Sequence, residues 1–286
     1  QVVYRTPAVF EQTAQGVQHA LGKLGINAET YAPGSDDIGD RFLAEAFQDP
    51  ATLVIVICYQ LFTAMPRHYI LLQLEQPSAD MYVPAHLPSA LAVWDFSSSG
   101  LSFLKRVMRV PASFMTVYTA IPSTSFAGLQ GEASASIENT LVFFNGWLSE
   151  RRLAIMQMIA FAGVPLDIRQ AYGSELDERV HRANIVLNLH KNDGAALEVH
   201  RLNRLLLQGK CIVSETSSDP ILDAIYSGGV VFAHKDELVE VLLQLLGDDT
   251  QRRRWEANAS SLGRTLHSDL SPLQHGLMQV ASSLSE

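Results

Sequence analysis

The chain has 286 residues, a length that suits two domains of ordinary size, each able to bury its own core. A hydrophobic fraction of 47%, a charged fraction of 18% and a mean hydropathy of +0.09 exclude the polar profile of a disordered chain. The formal net charge of -9 argues against a broad nucleic-acid surface, because such a surface needs a basic face.

The cysteines and the longest apolar run bear on the cellular compartment. Cys58 and Cys211 lie inside apolar runs, which predicts buried thiols in a reducing, cytoplasmic environment. Residues 51–62 are too few to cross a bilayer, and their β-branched composition favours a buried parallel strand. Peripheral association with a membrane is left open. The start at Gln1, without a Met, indicates a trimmed chain or a piece of a longer protein.

Strands and helices alternate along the first half of the chain. The strand VVYR precedes an amphipathic helix over residues 10–24, and NAETY is the next strand. A helix over residues 37–47 leads to the strands TLVIVICY, YILLQLEQ, LAVWDFS and FMTVYTAIP. This alternation predicts βαβ units in a parallel sheet. We assign residues 1–125 to a first domain and residues 126–139, rich in small and polar residues, to a linker.

The alternation starts again in the second half. The expected strands are LVFFNGW, LDIRQAY, NIVLNLH, KCIVSE and VVFAH, and helices separate them. We assign residues 140–268 to a second domain and residues 269–286 to a C-terminal helix that can cross back to the first. The predicted fold class is α/β, with two Rossmann-like domains facing each other across a cleft. Open α/β sheets bind ligands in such a cleft, outside the carboxyl ends of their strands.

Several common motifs are absent from the sequence. It contains no G-x-G-x-x-G, no Walker-type loop, no G-x-S-x-G and no H-E-x-x-H, which argues against four large enzyme classes. It also has no Asp-x-Asp after an apolar strand, and no Cys/His cluster at zinc spacing. We therefore predict no metal site and no bound cofactor.

Polar residues gather where the strand NIVLNLH ends. Asn188 and His190 stand at the strand exit, and a helix begins near Glu198. The free N–H groups of a helix N-terminus attract anions, and Lys191 or Arg201 would add a positive charge. These residues are candidates for binding a diphosphate. For Glu198 the alternative is a favourable acid in the first turn of a helix, and for Arg201 it is an exposed helix charge paired with Glu198 or another acid at helical spacing.

A second cationic loop follows the strand LVFFNGW. Gly146 ends that strand, and Arg151 and Arg152 open the next helix, so one arginine would reach the same anion. In the first domain, Glu75 and Asp95 follow neighbouring strands, and either would orient or deprotonate an acceptor hydroxyl as a general base. The alternative for both acids is to cap a helix or a loop.

Four segments carry a resemblance to a known family. They are NGWLSERR, AYGSELDERVHRANIVLNLH, LEVHRLNRLLLQGKCIVSE and GGVVFAHKDELVEVLLQLL. In this order they resemble the nucleotide-sugar-binding half of GT-B glycosyltransferases. In the first half, YILLQLEQ and LAVWDFS are similar to a bacterial and viral subgroup that acts on surface polysaccharides or lipid-linked saccharides.

The resemblance implies a function and roles for particular residues. Gly146 and Arg151 or Arg152 would approach the donor diphosphate, Gly173 would lie by the base, and Glu198 would face the donor sugar or ribose. The implied activity moves a hexosyl group, without a metal, from a UDP or GDP sugar to a saccharide or lipid-linked acceptor. The nucleotide sugar is a co-substrate, and no nucleic acid partner is expected.

One position departs from the family. Many retaining members carry a second glutamate five residues before the glycine that ends this helix, and here that position is Arg204. The ribose would then be bound by Glu198 or Glu215. If Arg204 points into the donor pocket, it would favour an anionic donor, and otherwise it is a surface charge. Two alternatives stay open: a nucleotide-sugar 2-epimerase of the same fold, and a non-catalytic binding module of a larger assembly.

Overall fold

The computed structural model of the protein describes residues 1–5, 7–32, 50–77, 81–111, 115–117 and 141–285. The chain divides into two compact units, one of Gln1–Ser123 with Asp269–Glu286 and one of Thr124–Ser268. The helix predicted over residues 37–47 and the linker predicted over residues 126–139 lie outside the described residues.

The first unit is built on a parallel sheet. Its described strands are β1 (Val2–Val3), β2 (Thr30–Tyr31), β3 (Val54–Ile57), β4 (Tyr69–Gln73), β5 (Ala92–Asp95) and β6 (Met115–Val117). They are ordered β2-β1-β3-β4-β5-β6, and each neighbouring pair is parallel. The helices described in this unit are α1 (Pro7–Lys23), α2 (Ser98–Arg106) and, at the end of the chain, α9 (Ser271–Ser285).

Alternate residues of these strands form the cores on the two faces of the sheet. One core joins Ile55, Leu72 and Trp94 to α1 and to Leu273 and Val280 of α9. A Cβ at Gly276 of α9 would lie 2.8 Å from Cε2 of Trp94, so a residue without a side chain is needed where α9 meets the sheet. The C-terminal helix is therefore packed into the core of the first unit.

The second unit repeats the same construction. Its strands are β7 (Val142–Asn145), β8 (Leu166–Arg169), β9 (Ile185–Asn188), β10 (Cys211–Glu215) and β11 (Val231–Ala233). They form a parallel sheet in the order β11-β10-β9-β7-β8. The helices are α3 (Glu150–Phe161), α4 (Gly173–Arg182), α5 (Val199–Leu207), α6 (Pro220–Tyr226), α7 (Leu238–Gly247) and α8 (Asp249–Ser268).

Helices pack on this second sheet as the strand and helix alternation requires. Phe144, Leu187 and Val213 pack with apolar residues of α3 and α7 in one buried cluster. The predicted fold class, α/β with two Rossmann-like units, is confirmed. In a parallel sheet the carboxyl ends of the strands share one edge, and the site is built on that edge of the second unit. Within the described residues, no helix is both long and apolar enough to cross a membrane.

Candidate functional site

The polar side chains of the second unit gather where β7, β9 and β10 end. These strands are adjacent and parallel, so the residues that follow them share one edge of the sheet. Gly146 follows β7, His190 lies just beyond β9, and Glu215 is the last residue of β10. Arg201 of α5 donates from Nη1 to the carbonyl oxygen of Asn145 at 2.9 Å, which places the first turn of α5 at this edge.

Arg151 forms a bidentate ion pair with Glu215. Its Nη2 and Nη1 donate to Oε1 and Oε2 of Glu215 at 2.7 and 2.9 Å, and its Nε donates to Asp193 Oδ1 at 2.6 Å. The backbone N–H of His190 donates to Glu215 Oε2 at 2.8 Å. Hydrogen bonds to Glu215 and Asp193 raise the pKa of Arg151 above its ordinary value. The hydrogen bond to Arg151 in turn lowers the pKa of Asp193. Arg151 and Glu215 are thus occupied with each other, and they fix the loop after β9 to β10.

Of the neighbouring arginines Arg151 and Arg152, Arg152 is the buried one, with only 2% of its surface exposed. Its Nε and Nη2 donate to the carbonyl oxygen of Leu189 at 2.9 and 2.7 Å, and its Nη1 donates to that of Trp147 at 2.9 Å. Nη2 also contacts Glu198 Oε1 at 3.1 Å. Because so many acceptors surround it, the guanidinium is held in one position beneath the loop that follows β7.

Glu198 lies between two arginines. Arg152 Nη2 approaches its Oε1 at 3.1 Å, and Arg201 Nη1 approaches its Oε2 at 3.2 Å. Burial opposes ionisation of Glu198, but the positive charges of Arg201 and Arg152 outweigh it, so the pKa of Glu198 lies below its ordinary value. The carboxylate therefore stays charged at neutral pH and orients both guanidinium groups.

Gly146 lies directly against these two guanidinium groups. A Cβ on this residue would lie 3.3 Å from Arg201 Nη1 and 3.4 Å from Arg152 Nη1. The backbone φ of +155° is also one that side-chain-bearing residues rarely adopt. A glycine is therefore needed at this strand exit, because a side chain would crowd the Phe144 ring and both guanidinium groups.

Helix α5 adds the dipole of its N-terminus to the same place. It begins at Val199, and the side chain of Glu198, at the N-cap, does not cap it. Arg201 is 27% exposed, and within the described residues its Nε and Nη2 donate to no acceptor. The N–H groups of Val199 and Arg201 already donate to the carbonyl oxygens of Leu197 and Glu198. The helix dipole and the partly exposed guanidinium are therefore what this end of α5 offers to phosphate oxygens. The arrangement of Gly146, Arg152, Arg201 and the α5 N-terminus is called the anion cradle below.

Three further polar side chains lie close to the anion cradle. His190 is 3% exposed, and neither of its ring nitrogens has a hydrogen-bond partner in the described part of the chain. Asn188 is fully buried and donates from Nδ2 to Ser214 Oγ at 3.0 Å. Burial lowers the pKa of His200 to about 4, against the opposing charge of Glu198, so this histidine is neutral at pH 7. His190 and Asn188 are therefore both buried where β9 ends.

Gly173 lies at the start of α4, and Arg204 lies where α5 contacts α4. Gly173 begins α4 just beyond β8, with a φ of +56° that favours glycine. Arg204 is an ion-pair partner of Asp177 on α4, and Gln208 Nε2 donates to the same carboxylate at 2.9 Å. Arg204 is therefore neither in the anion cradle nor a solvated charge, because it ties α5 to α4.

Asp95, predicted as an acceptor-side acid in the first unit, is fully buried. Its Oδ1 accepts from the N–H of Ser97 at 2.9 Å and from Ser97 Oγ at 3.0 Å, and Tyr82 Oη donates to its Oδ2. Ser97 in turn caps α2 by accepting from the N–H of Gly100 at 2.9 Å. These contacts match the capping alternative, and they leave the catalytic role of Asp95 a prediction.

Glu75 is half-buried just beyond β4, the neighbour of β5. Gln73 pairs in register with Asp95, and its side-chain oxygen accepts from the N–H groups of Leu74 and Glu75 at 2.9 and 3.0 Å. Glu75, just beyond β4, and Asp95, the last residue of β5, thus lie at the same edge of the first sheet, as their positions in the sequence predicted. The general-base role of Glu75 also stays a prediction.

Sequence reasoning missed three partners of the residues it singled out. Tyr82 binds Asp95 in the first unit, and in the second unit Asp193 binds Arg151 and Asp177 binds Arg204. None of the three lies at a helical or strand spacing from the group it binds, so residue spacing gives no sign of them. In the residues that the structure covers, no group of three or more His, Cys, Asp or Glu is placed to hold a metal ion.

Two Rossmann-like units, each built on a parallel sheet, with the C-terminal helix packed into the first, have the fold of GT-B glycosyltransferases. Solved structures show this likeness, although no family model and no curated protein sequence matches the chain. The chain is similar to sucrose-phosphate synthase from Thermosynechococcus elongatus, with a TM-score of 0.65 and 10% identity, over 100% of this chain and 99% of that one.

Two further structures give the same result. HepE from Anabaena, solved in complex with UDP, matches with a TM-score of 0.60 and 12% identity, over 100% of this chain and 99% of that one. TarM matches with a TM-score of 0.62 and 8% identity, over 84% of this chain, which spans only 57% of the length of TarM. At these identities the likeness establishes the fold alone.

Proposed function

We propose that the protein is a glycosyltransferase that uses a nucleoside diphosphate sugar, with UDP or GDP as the nucleotide. The observation that carries the proposal is Gly146 lying within contact distance of the guanidinium groups of Arg152 and Arg201. The fold supports it, because HepE has this fold and has been solved with UDP and with UDP-glucose. The acceptor in this proposal is a saccharide or a lipid-linked saccharide.

The charge of the anion cradle suits a leaving diphosphate. Arg152 and Arg201 both face the carboxylate of Glu198, so these three groups together carry one positive charge. Breaking the bond from sugar to diphosphate places negative charge on the leaving phosphate. Donors already fixed in position stabilise such developing charge by several kcal/mol when water is excluded. The hydrogen bonds that hold Arg152 supply this fixed position, and no metal is required in the proposed mechanism.

The roles of the predicted site residues follow from their contacts. Arg201 is assigned the direct phosphate contact, because it is the partly exposed arginine with remaining donors. Glu198 orients Arg152 and Arg201, and its contact with sugar or ribose remains a proposal. Arg151 and Glu215 act as a positioning pair, since each already satisfies the other. Asn188 and His190 are proposed to border the donor from the end of β9.

A second candidate is a protein that binds a nucleotide sugar without transferring it. The burial of Asp95 and its bonds to Tyr82 and Ser97 favour this candidate, because they already engage one of the two predicted acceptor-side acids. Glu75 would then be the remaining general base. Incubation of the protein with a labelled nucleotide sugar and saccharide acceptors separates transfer from binding alone, and formation of a 2-epimer without acceptor would indicate the epimerase.

Calorimetric titration with UDP, GDP, TDP and ADP tests the proposed donor site. We expect one of them to bind, and Arg201→Ala to weaken that binding roughly 10- to 150-fold, because hydrogen bonds to charged groups contribute about 1.5–3 kcal/mol. Arg254→Ala, which removes an exposed arginine of α8, is the matched control and should bind as the parent does. No binding of any nucleotide at millimolar concentration, or equal binding by Arg201→Ala, contradicts the proposal.

The proposal extends to the absence of a metal and to the compartment. Transfer is expected to persist when EDTA is present, and loss of activity that Mg²⁺ or Mn²⁺ restores would contradict the metal-independent mechanism. A cytoplasmic location is proposed because Cys58 and Cys211 are buried free thiols, as is usual in a reducing compartment. Fractionation of cells that express the protein tests this location and any peripheral association with the membrane.

A further inference from the structure

The last residue of β4, Gln73, holds the backbone of two segments through one fully buried side chain. Its Oε1 accepts from the N–H groups of Leu74 and Glu75 at 2.9 and 3.0 Å. Its Nε2 donates to the carbonyl oxygen of Met81 at 2.8 Å. A side-chain amide carries an acceptor and donors on one uncharged group. Gln73 therefore connects the segment that leaves β4 to the segment that ends just before Tyr82.

A second group of buried contacts fixes Tyr82. This residue is fully buried, its Oη donates to Asp95 Oδ2, and its ring centroid lies 5.4 Å from that of Phe103 on α2. Asp95 in turn pairs in register with Gln73 on the neighbouring strand. A Cβ at Gly100 of α2 would lie 2.1 Å from Asp95 Oδ1, so α2 packs directly on this carboxylate. Tyr82 is thus held from both β5 and α2.

The polar residue whose backbone these contacts position is Glu75. Burial raises the pKa of the Cys58 thiol, and the negative charge of Glu75 raises it further. Cys58 directly follows β3, so the carboxylate of Glu75 lies near the ends of both β3 and β4. Because the N–H of Glu75 donates to the buried amide of Gln73, the backbone that carries this carboxylate is fixed to the sheet.

We propose that Gln73 is a positioning residue, which places the carboxylate of Glu75 against the acceptor hydroxyl. This inference rests on the proposed function, since it takes Glu75 to be the general base of the transfer. In that step the acceptor oxygen bonds to the anomeric carbon, the bond from this carbon to the diphosphate breaks, and the hydroxyl proton passes to Glu75. A base must lie within hydrogen-bond reach of the proton it takes, so a small shift of its backbone slows the reaction. Tyr82 and Asp95 support the same arrangement, because Tyr82 directly follows the carbonyl group that Gln73 binds.

A double-mutant cycle on the transfer reaction tests this role. Gln73→Met keeps about the same side-chain length without the amide, and it should lower kcat/KM for the acceptor roughly 10- to 100-fold. The dissociation constant of the nucleoside diphosphate, which binds the second unit in the proposed function, should stay at the parent value. In the Glu75→Gln background, where the base is already removed, Gln73→Met should change kcat/KM by no more than about 2-fold. A loss caused by weaker packing alone would be equal in the two backgrounds.

Two further variants separate this role from effects on folding. Tyr82→Phe keeps the buried ring and removes only the hydroxyl that binds Asp95, so it serves if Gln73→Met does not fold. It should lower kcat/KM by a smaller factor in the parent, and not in the Glu75→Gln background. Tyr69→Phe is the matched control at the other end of β4, where it removes a hydrogen bond of 2.7 Å from the tyrosine hydroxyl to a backbone carbonyl oxygen. It should leave kcat/KM unchanged.

Hydrogen exchange tests the contacts of Gln73 without any activity. The amide groups of Leu74 and Glu75 should exchange faster in Gln73→Met than in the parent, as followed by NMR, and equal exchange overturns the inference. Parent kcat/KM in Gln73→Met and Tyr82→Phe, a loss that persists in full in the Glu75→Gln background, or full transfer by Glu75→Gln overturns the positioning role and leaves the proposed function standing. A parent that binds no nucleoside diphosphate, or transfers no sugar, overturns the proposed function and this role with it.

Discussion

Replacement of Glu215 by glutamine should destabilise the second unit by about 2–3 kcal/mol. The carboxylate is 4% exposed and accepts three hydrogen bonds, two from Arg151 at 2.7 and 2.9 Å and one from the N–H of His190 at 2.8 Å. Glutamine has the same shape, but its NH₂ group would face donors where an acceptor is needed. Breaking a buried ion pair costs about 3–5 kcal/mol, and the partial exposure of Arg151 reduces this amount.

Differential scanning calorimetry of the full chain measures the effect. A loss of 2–3 kcal/mol corresponds to a fall of roughly 4–12 °C in the melting temperature of a unit of this size. Asp193→Asn is the matched control, because Asp193 pairs with the same arginine but is 81% exposed, and it should not shift the melting temperature measurably. If the two variants shift it equally, or if Glu215→Gln melts with the parent, the Arg151–Glu215 pair does not hold the loop after β9.

Two further predictions concern the anion cradle. Gly146→Ala should weaken binding of a nucleoside diphosphate by about 10-fold or more, since the new Cβ would crowd the Phe144 ring and both guanidinium groups. Gly194→Ala, also at a positive φ (+71°) but with nothing within 4 Å of the new Cβ, is the control and should not weaken it; equal affinities for the two variants would refute this. Glu198→Gln should lower kcat/KM for transfer. Because the pKa of Glu198 is lowered in the folded protein, its charge stabilises the fold above the ordinary glutamate pKa of about 4.3, and this contribution is lost as the pH falls through the lower folded-state pKa. Urea unfolding should therefore separate the two proteins at pH 7 and not in strong acid.

The fold is predicted well from the sequence because each strand and helix shows in the spacing of apolar residues within a short segment. Continuous apolar runs such as VIVI of β3 and YILLQ of β4 are typical of strands buried on both faces, and the helices between them supply the parallel connections. The boundaries are less exact. Helix α5 begins at Val199, one residue after Glu198, where the sequence predicted its start, because the backbone of Glu198 is not helical.

The sequence suggested which residues gather at this edge, and one of their pairings, that of Arg201 with Glu198, but not the pairings between distant strands. Gly146, Arg152, Glu198 and Arg201 come together as the strand exits suggested, because parallel strands end at one edge. Arg151 and Glu215 lie 64 positions apart, and only the order β10-β9-β7 brings them into contact. Long-range pairs of this kind follow from strand order, which residue spacing does not encode.

Arg204 is the position at which the resemblance to GT-B enzymes is least informative, and its contacts explain why. A glutamate expected there would face the donor, but Arg204 pairs with Asp177 of α4, and Gln208 joins the same carboxylate. Since Arg204 is 13% and Asp177 19% exposed, the pair is only weakly screened by solvent, and the positive charge is balanced within the chain. It therefore needs no anionic group on the donor, so a neutral hexose is as compatible with this site as a uronic acid. The pair also connects α4 to α5, which begins at the anion cradle, so Arg204 holds the two helices together and does not bind a ligand.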